Sequence, residues 1–143
     1  MLKRIPPVLS GDLLKILRDM GHADEITITD ANYPAASNAK RLVRVDGADS
    51  TTVLEAILTL MTLDEFVDAP VFVMSPGPGE SAPVIAAYQK VCDAAIGKPV
   101  KIAPLPRFDF YARAAQSYAH VATNERRLFG NIILKKGILR PGE

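Results

Sequence analysis

The sequence predicts one α/β domain, with helices packed on a central sheet. Three observations lead there. The chain has 143 residues, about the length of a single domain. Its composition, 48% hydrophobic and 23% charged, is that of a globular chain able to bury a core and unlike that of a disordered one. Segments of period two alternate from end to end with segments of helical period, the pattern of a layered sheet flanked by helices. A chain of this length buries roughly two thirds of its unfolded surface. With no Trp among its residues, that interior is mainly aliphatic.

The elements follow in order. Leu13, Ile16, Leu17 and Met20 are spaced as one face of a helix over residues 12–20. Ser10 suits its N-cap, Asp12 its positive end, and Gly21 its termination. Residues 25–30 alternate and are rich in β-branched side chains, so they form a strand. Residues 31–39, with Pro34 and Asn38 and no periodicity, read as a loop. A strand at 41–45 leads through Asp46-Gly47 into a helix over 50–61, carried by Val53, Leu54, Ile57, Leu58 and Met61. Residues 70–74 are the short apolar run of a strand buried on both faces.

The run Ser75-Pro76-Gly77-Pro78-Gly79-Glu80-Ser81 fits no regular element and reads as a loop. Pro83 sits at the favoured first position of a helix over 83–96. A short strand at 101–103 precedes Pro104 and Pro106, and residues 107–118 again keep helical spacing. Strands at 119–123 and 131–134, separated by 124–130, close the chain. No internal repeat or compositional boundary divides it, so residues 1–143 are expected to form one domain.

Several function classes are disfavoured at once. Seventeen basic against sixteen acidic residues leave a net charge of +1, without the basic excess of a nucleic-acid binder. A single cysteine, Cys92, rules out an intramolecular disulfide framework, and it lies in an apolar helical pattern that suits an inert packing thiol. His22, His120 and Cys92 are too scattered to predict a metal cluster. The Pro-Gly run lacks the Gly-Lys-Ser/Thr ending of a P-loop, and no G-x-S-x-G occurs. No apolar run reaches the roughly 18 residues of a membrane helix, and the N-terminus does not resemble a signal peptide. The expectation is a cytoplasmic protein.

A polar group where a strand ends is aimed by a rigid scaffold and exposed by the following loop. His22 lies in a helix-to-strand turn, and Asp30 ends the first strand. Arg107 follows Pro104-Leu105-Pro106, and Asn131 follows Phe129-Gly130, where glycine lets backbone approach a ligand. Each has an ordinary structural reading too. His22 would finish the preceding helix, Asp30 would cap a turn, Arg107 would be a surface cation, Asn131 a turn former and His120 a plain strand residue. Unaided, these residues reach an α/β domain with a candidate polar pocket.

Longer motifs carry a resemblance. They include Pro7-Val8-Leu9-Ser10, Met20-Gly21-His22-Ala23-Asp24-Glu25-Ile26 and Asp30-Ala31-Asn32-Tyr33-Pro34-Ala35. Arg107-Phe108-Asp109-Phe110-Tyr111 and Gly130-Asn131-Ile132-Ile133-Leu134-Lys135-Lys136-Gly137 continue them. Over nearly its whole length, weakening across 75–81, the chain resembles the RbsD/FucU family of ribose pyranases and fucose mutarotases. The resemblance implies a layered α/β/α fold with a mixed, mostly parallel sheet. It implies an isomerase that interconverts the cyclic forms of a free monosaccharide, most closely L-fucose, with no metal or organic cofactor.

It carries the proton-donor role onto His22, and sugar contacts onto Asp30, Arg107, Phe129, Gly130 and Asn131. Asp30 would accept sugar hydroxyls or fix the His22 tautomer. Arg107 resembles the fucose branch, since ribose pyranases present a histidine in that region. Phe129 departs from the family's tyrosine; Tyr111 and Tyr118 are other sources of a phenol. Ring-like homo-oligomers, often decamers with pockets completed by a neighbouring subunit, are the implied assembly. A mutarotase for another sugar and a non-catalytic sugar-binding accessory to uptake are the competing readings.

Overall fold

Ser10 opens the first helix as its sequence demands, its hydroxyl accepting the Leu13 N–H at 3.2 Å. In the computed structural model, which describes residues 1–143, this helix is α1 (Gly11–Asp19). It is followed by β1 (Glu25–Thr29), α2 (Ala35–Asn38), β2 (Leu42–Val45), α3 (Ser50–Leu58) and β3 (Val71–Met74). The chain continues through α4 (Pro83–Ile96), β4 (Ile102–Leu105), α5 (Arg107–Gln116), β5 (Ala119–Thr123) and β6 (Ile132–Lys135). Asp49 caps α3 by accepting the Thr52 N–H at 2.8 Å. Gly97 ends α4 in the left-handed conformation, φ 79°, where a side chain would be strained.

Two details depart from the expectation. The segment 31–39 holds the single helical turn α2, too short to leave a periodicity in sequence. β4 runs on through Pro104, which is tolerated because β4 is an edge strand and proline's missing N–H leaves no ladder bond unmade there.

The sheet order is β2-β5-β1-β6-β3-β4. β2–β5, β5–β1 and β3–β4 pair in parallel, and only β6 runs antiparallel to its neighbours β1 and β3. The sheet is therefore mixed and mostly parallel, as the resemblance implies. Strand alternation sorts the core onto two faces. Ile26, Ile28, Val71, Val73, Val121, Ile132 and Leu134 pack with Leu13 and Leu17 of α1, Leu54 and Ile57 of α3, and Tyr88 of α4. Met74, Ala122 and Ile133 turn to the other face, where Ala35 of α2 and Phe110 and Ala114 of α5 cover them with Tyr33 and Phe129. Helices on both faces of the sheet give the α/β/α layering.

Five strands point one way, so the segments after β1, β3, β4 and β5 and the segment before β6 meet at one sheet edge. No helix is long and apolar enough to cross a membrane.

Candidate active site

At that carboxyl edge, on the α2/α5 face, lies a cleft of about 180 Å3. Its lining includes Asp30, Tyr33, Met74, Arg107, Tyr111, Leu128, Phe129 and Asn131. Its size falls below the roughly 300–1,000 Å3 of drug-sized ligand pockets and suits a small polyol. A larger cleft of about 430 Å3 lies at the opposite end, lined by Leu17, Met20, Leu60 and Met61. Its lysine, Lys136, is already bonded to the carbonyls of Leu17 and Met20 at the end of α1. The smaller cleft is the one that gathers Asp30, Arg107 and Asn131.

Asp30 and Asn131 form a reciprocal pair across the cleft floor. The Asp30 N–H donates to Asn131 Oδ1 at 2.9 Å, and Asn131 Nδ2 donates to Asp30 Oδ2 at 2.9 Å. The Gly130 N–H adds a bond to Oδ2 at 3.1 Å, and the Asn32 N–H one to Oδ1 at 3.0 Å. Oδ1, with a single donor, keeps a lone pair for a ligand hydroxyl. Burial pushes the Asp30 carboxyl above its usual range, against the opposing pull of the Asn32, Asn131 and Gly130 donors. The turn-capping reading of Asp30 is thus also true: one carboxylate closes the turn and faces the cleft.

Gly130 is required by close approach. A Cβ there would sit 2.5 Å from Glu125 Cγ and 3.2 Å from Asp30 Cβ. Phe129 before it has a φ of 62°, a strained conformation for a residue with a side chain. The segment is bent onto Asp30, with the Asn131 N–H bonded to Phe129 O at 2.8 Å. The Phe129 ring, 8% exposed, packs in the second core cluster beside Tyr33 and Phe110. What this segment offers a ligand is its backbone and the Asn131 amide.

Glu125, a residue the sequence reading passed over, holds the segment in place. Its Oε1 accepts the Arg127 N–H at 2.8 Å and Nε at 2.9 Å. Its Oε2 accepts Arg127 Nη2 at 2.6 Å and the Ser50 hydroxyl at 2.7 Å. The Ser50 hydroxyl in turn accepts from Tyr88 at 2.6 Å. Burial pushes the Glu125 carboxyl up, but Arg127 and Ser50 outweigh it and bring it down to about 2.

Arg107 begins α5, is exposed, and enters none of the chain's ion pairs, leaving its guanidinium donors to the cleft. Tyr111, one turn later, places its ring in the same wall, edge-on to Tyr33 at 5.3 Å. Tyr118 lies elsewhere, under the Arg41 guanidinium at 3.9 Å. His120 is fully buried behind Tyr33, and its Nε2 bonds Asn38 Oδ1 at 2.9 Å, the oxygen that also accepts the Tyr33 hydroxyl at 2.8 Å. Burial lowers His120 to about 4, so it is a neutral core residue, as its plain reading held.

His22 is not in this cleft. It precedes β1 and Asp30 follows it, and at about 3.3 Å per residue the five-residue strand alone spans about 16 Å. The structure therefore corrects one expectation: within a chain, Asp30 does not set the His22 tautomer. The carboxylate beside His22 is Asp64, with Nε2 to Oδ1 at 3.2 Å, and the Phe66 ring meets the imidazole edge-on at 5.6 Å. The turn carrying His22 is tied down by the Gly21 N–H on Asp24 Oδ2 at 2.7 Å and the Ala23 N–H on Lys136 O at 2.9 Å. Ala23 adopts a φ of 69°, so a strained non-glycine residue marks each of the two polar ends.

Known proteins resemble the chain closely. An L-fucose mutarotase of Haemophilus influenzae (strain 86-028NP) is 45% identical over 140 residues, 96% of this chain and 97% of that protein. Among solved structures, the chain is similar to the fucose mutarotase from Streptococcus pneumoniae in complex with L-fucose. The TM-score is 0.93 at 45% identity, covering 97% of this chain and 100% of that one. FucU from Bifidobacterium longum gives a TM-score of 0.91 at 36% identity, with 95% and 99% covered. The model of the RbsD / FucU transport protein family matches residues 3–139. By sequence over nearly its whole length and by its fold, the chain belongs to the RbsD/FucU family.

Proposed function

We propose that this protein, one domain over residues 1–143, is an isomerase of the L-fucose mutarotase type, interconverting the α and β anomers of a free monosaccharide. The carrying observation is the cleft in which Asp30, Asn131 and the unpaired Arg107 converge on a volume of about 180 Å3. The likeness to L-fucose mutarotases supports the same reading. The cleft's chemistry suits a 6-deoxy sugar, with Met74 and Leu128 as an apolar wall for the methyl group and a polar side for hydroxyls.

Opening the pyranose needs a proton on the ring oxygen as the C1–O bond breaks, while the anomeric hydroxyl loses its own proton to become the aldehyde. Rotation about the C1–C2 bond and reclosure on the other face reverse both transfers and invert C1. His22 gives the proton to the ring oxygen, Asp30 Oδ1 takes the one leaving the anomeric hydroxyl, and reclosure returns both. Asp30 accepts sugar hydroxyl hydrogens through Oδ1, and Arg107, always charged, orients hydroxyls and stabilises developing negative charge. No step calls on a metal or an organic cofactor.

Because His22 and the cleft lie at opposite ends of β1, the complete site is assembled from two copies, the imidazole of one entering the cleft of the next. A homo-oligomeric ring satisfies this for every subunit. A cytoplasmic location fits a protein acting on free sugar. A chain kept apart from its copies would bind sugar without turning it over; the accessory reading differs in that the assembled protein also binds sugar and turns over nothing.

Saturation-transfer proton NMR on the anomeric signals tests both, with L-fucose, D-ribose and D-galactose in parallel. Protein-dependent exchange for L-fucose is the expected result, and the responding sugar identifies the branch. His22→Ala should retain sugar binding while exchange falls by about 10²–10⁴-fold. Sugar binding without exchange in the wild-type oligomer would overturn the enzyme assignment.

A further inference from the structure

We propose that Glu80 is a specificity-determining residue of the sugar site, its carboxylate working with Arg107 to hold one hydroxyl of the substrate. The inference rests on the mutarotase reading for its substrate and adds a contact which that reading leaves unassigned. Asp30 and Glu80 are the only carboxylates in the lining of the cleft, and Arg107 is its only cation. Asp30 Oδ1 is committed to the anomeric hydroxyl. Every other sugar hydroxyl has one hydrogen to donate and two lone pairs with which to accept. One that accepts from the Arg107 guanidinium therefore still has its hydrogen to place, and Glu80 supplies the acceptor.

The Pro-Gly run between β3 and α4 aims that carboxylate. Gly77-Pro78-Gly79-Glu80 closes a turn, with the Glu80 N–H on Gly77 O at 3.0 Å. Proline second and Gly79 third, at a φ of 77°, are the residues and conformation of a type II turn. The side chain bonds back across it, Glu80 Oε2 accepting the Gly77 N–H at 2.9 Å. Oε1 takes no donor within the chain, and Glu80 enters no ion pair.

Both ends of the run are anchored. The Ser75 N–H donates to Leu105 O at 2.8 Å, two residues before Arg107. Ala82 packs against the core cluster that holds Tyr33, Met74 and Phe129. β3 and β4 pair in parallel with Met74 opposite Leu105, so the run and Arg107 leave neighbouring strands at the same level. An exposed glutamate on a loop is ordinarily a solvated charge. This one is bonded into its own turn and keeps an oxygen free in the same small cleft as an unpaired guanidinium.

The test reads sugar affinity by calorimetry and anomer exchange by saturation-transfer NMR, on the full-length protein, with L-fucose and its monodeoxy analogues. Glu80→Gln keeps an acceptor oxygen for the Gly77 N–H, so the turn stays, but it removes the charge. It should weaken L-fucose binding and raise KM about tenfold, as loss of a charged hydrogen bond does, and leave the rate at saturating sugar unchanged. For the one analogue that lacks the shared hydroxyl, wild type and Glu80→Gln should bind equally. No loss for L-fucose, or a loss of the same size for every analogue, would overturn the proposal.

Gly77→Ala tests the aim without touching the charge. A Cβ there would stand 2.7 Å from Glu80 Oε2, the free end of a side chain that moves aside at little cost to the fold. The variant should unfold in urea at the wild-type midpoint yet bind L-fucose more weakly, and in the Glu80→Ala background it should lose nothing further. An equal loss in both backgrounds would mean that the loop, and not the carboxylate, acts on the sugar, and would refute the proposal. Sedimentation at the assay concentration checks for a contact between copies: weak binding by Glu80→Gln only because it has dissociated would likewise overturn it. If wild type binds L-fucose without exchange, the mutarotase reading fails on its own, while the binding series still decides the role of Glu80.

Discussion

Glu125→Gln alters one charge and almost no volume, and the structure fixes what that charge is worth. Glu125 is 3% exposed and accepts from Arg127 and Ser50 on both oxygens. Burial alone would raise its carboxyl, so the descent from 4.5 to about 2 is the net gain from those donors. At about 1.4 kcal/mol per pH unit, that gap corresponds to about 3 kcal/mol of folding stability. A carboxyl depressed in the folded state contributes fully above its unfolded value, 4.5, and loses the contribution as pH falls toward about 2.

The glutamine amide must also set an NH2 against the Arg127 N–H and Nε–H, or else against Arg127 Nη2 and the Ser50 N–H, which donates to Glu125 Oε2 at 3.3 Å. Urea unfolding of both proteins at one concentration and at pH 7, 5 and 3 should therefore show a loss near 3 kcal/mol at neutral pH, at about equal m-values, shrinking in acid. A difference below about 1 kcal/mol, the worth of a surface ion pair, or one independent of pH would refute the reasoning.

Other outcomes follow from the same geometry. Gly130→Ala should destabilise the fold by about 1–3 kcal/mol, because the new methyl meets Glu125 and Asp30, and it should abolish sugar binding by calorimetry. His120, lowered to about 4 by burial, stays neutral in the fold while the unfolded chain takes up a proton below about 6.5. Stability is then fully present above that value and falls as pH drops toward about 4, and an NMR titration placing His120 above 6 would contradict it. Phe129→Tyr should change anomer exchange less than about tenfold, since this segment works through its backbone; a larger gain would assign the missing phenol a direct part.

Much of this was legible in the chain, for physical reasons. α1 and α4 carry their own stop signals, Gly21 and Gly97, and a four-turn stripe in α4 leaves a clear period. The single turn α2 leaves none, and Pro104 hid the last two residues of β4 because only the sheet order shows that strand to be at the edge. Asp30, Arg107 and Asn131 were found as polar residues at strand ends, and the fold brings them together. Asp64 gave no signal, since its bond to His22 joins residues 42 positions apart. Glu125 was hidden likewise, as its partner Ser50 is 75 residues away. The separation of His22 from Asp30 was the reverse case. Five strand residues between them already imply opposite ends of the sheet, and only their shared family role suggested one site.

The rigid strand between His22 and the cleft has a consequence for the rate law. β1 is hydrogen-bonded on both sides, by β5 and β6, so no loop motion within one copy brings the two ends together. Under the shared-site proposal, the active species is a contact between copies and its amount follows mass action. Exchange per milligram of protein then declines on dilution, and total rate rises faster than the first power of concentration until assembly is complete. Sugar held across the contact favours association by the same factor that association favours sugar, so substrate itself shifts the dilution at which activity fades.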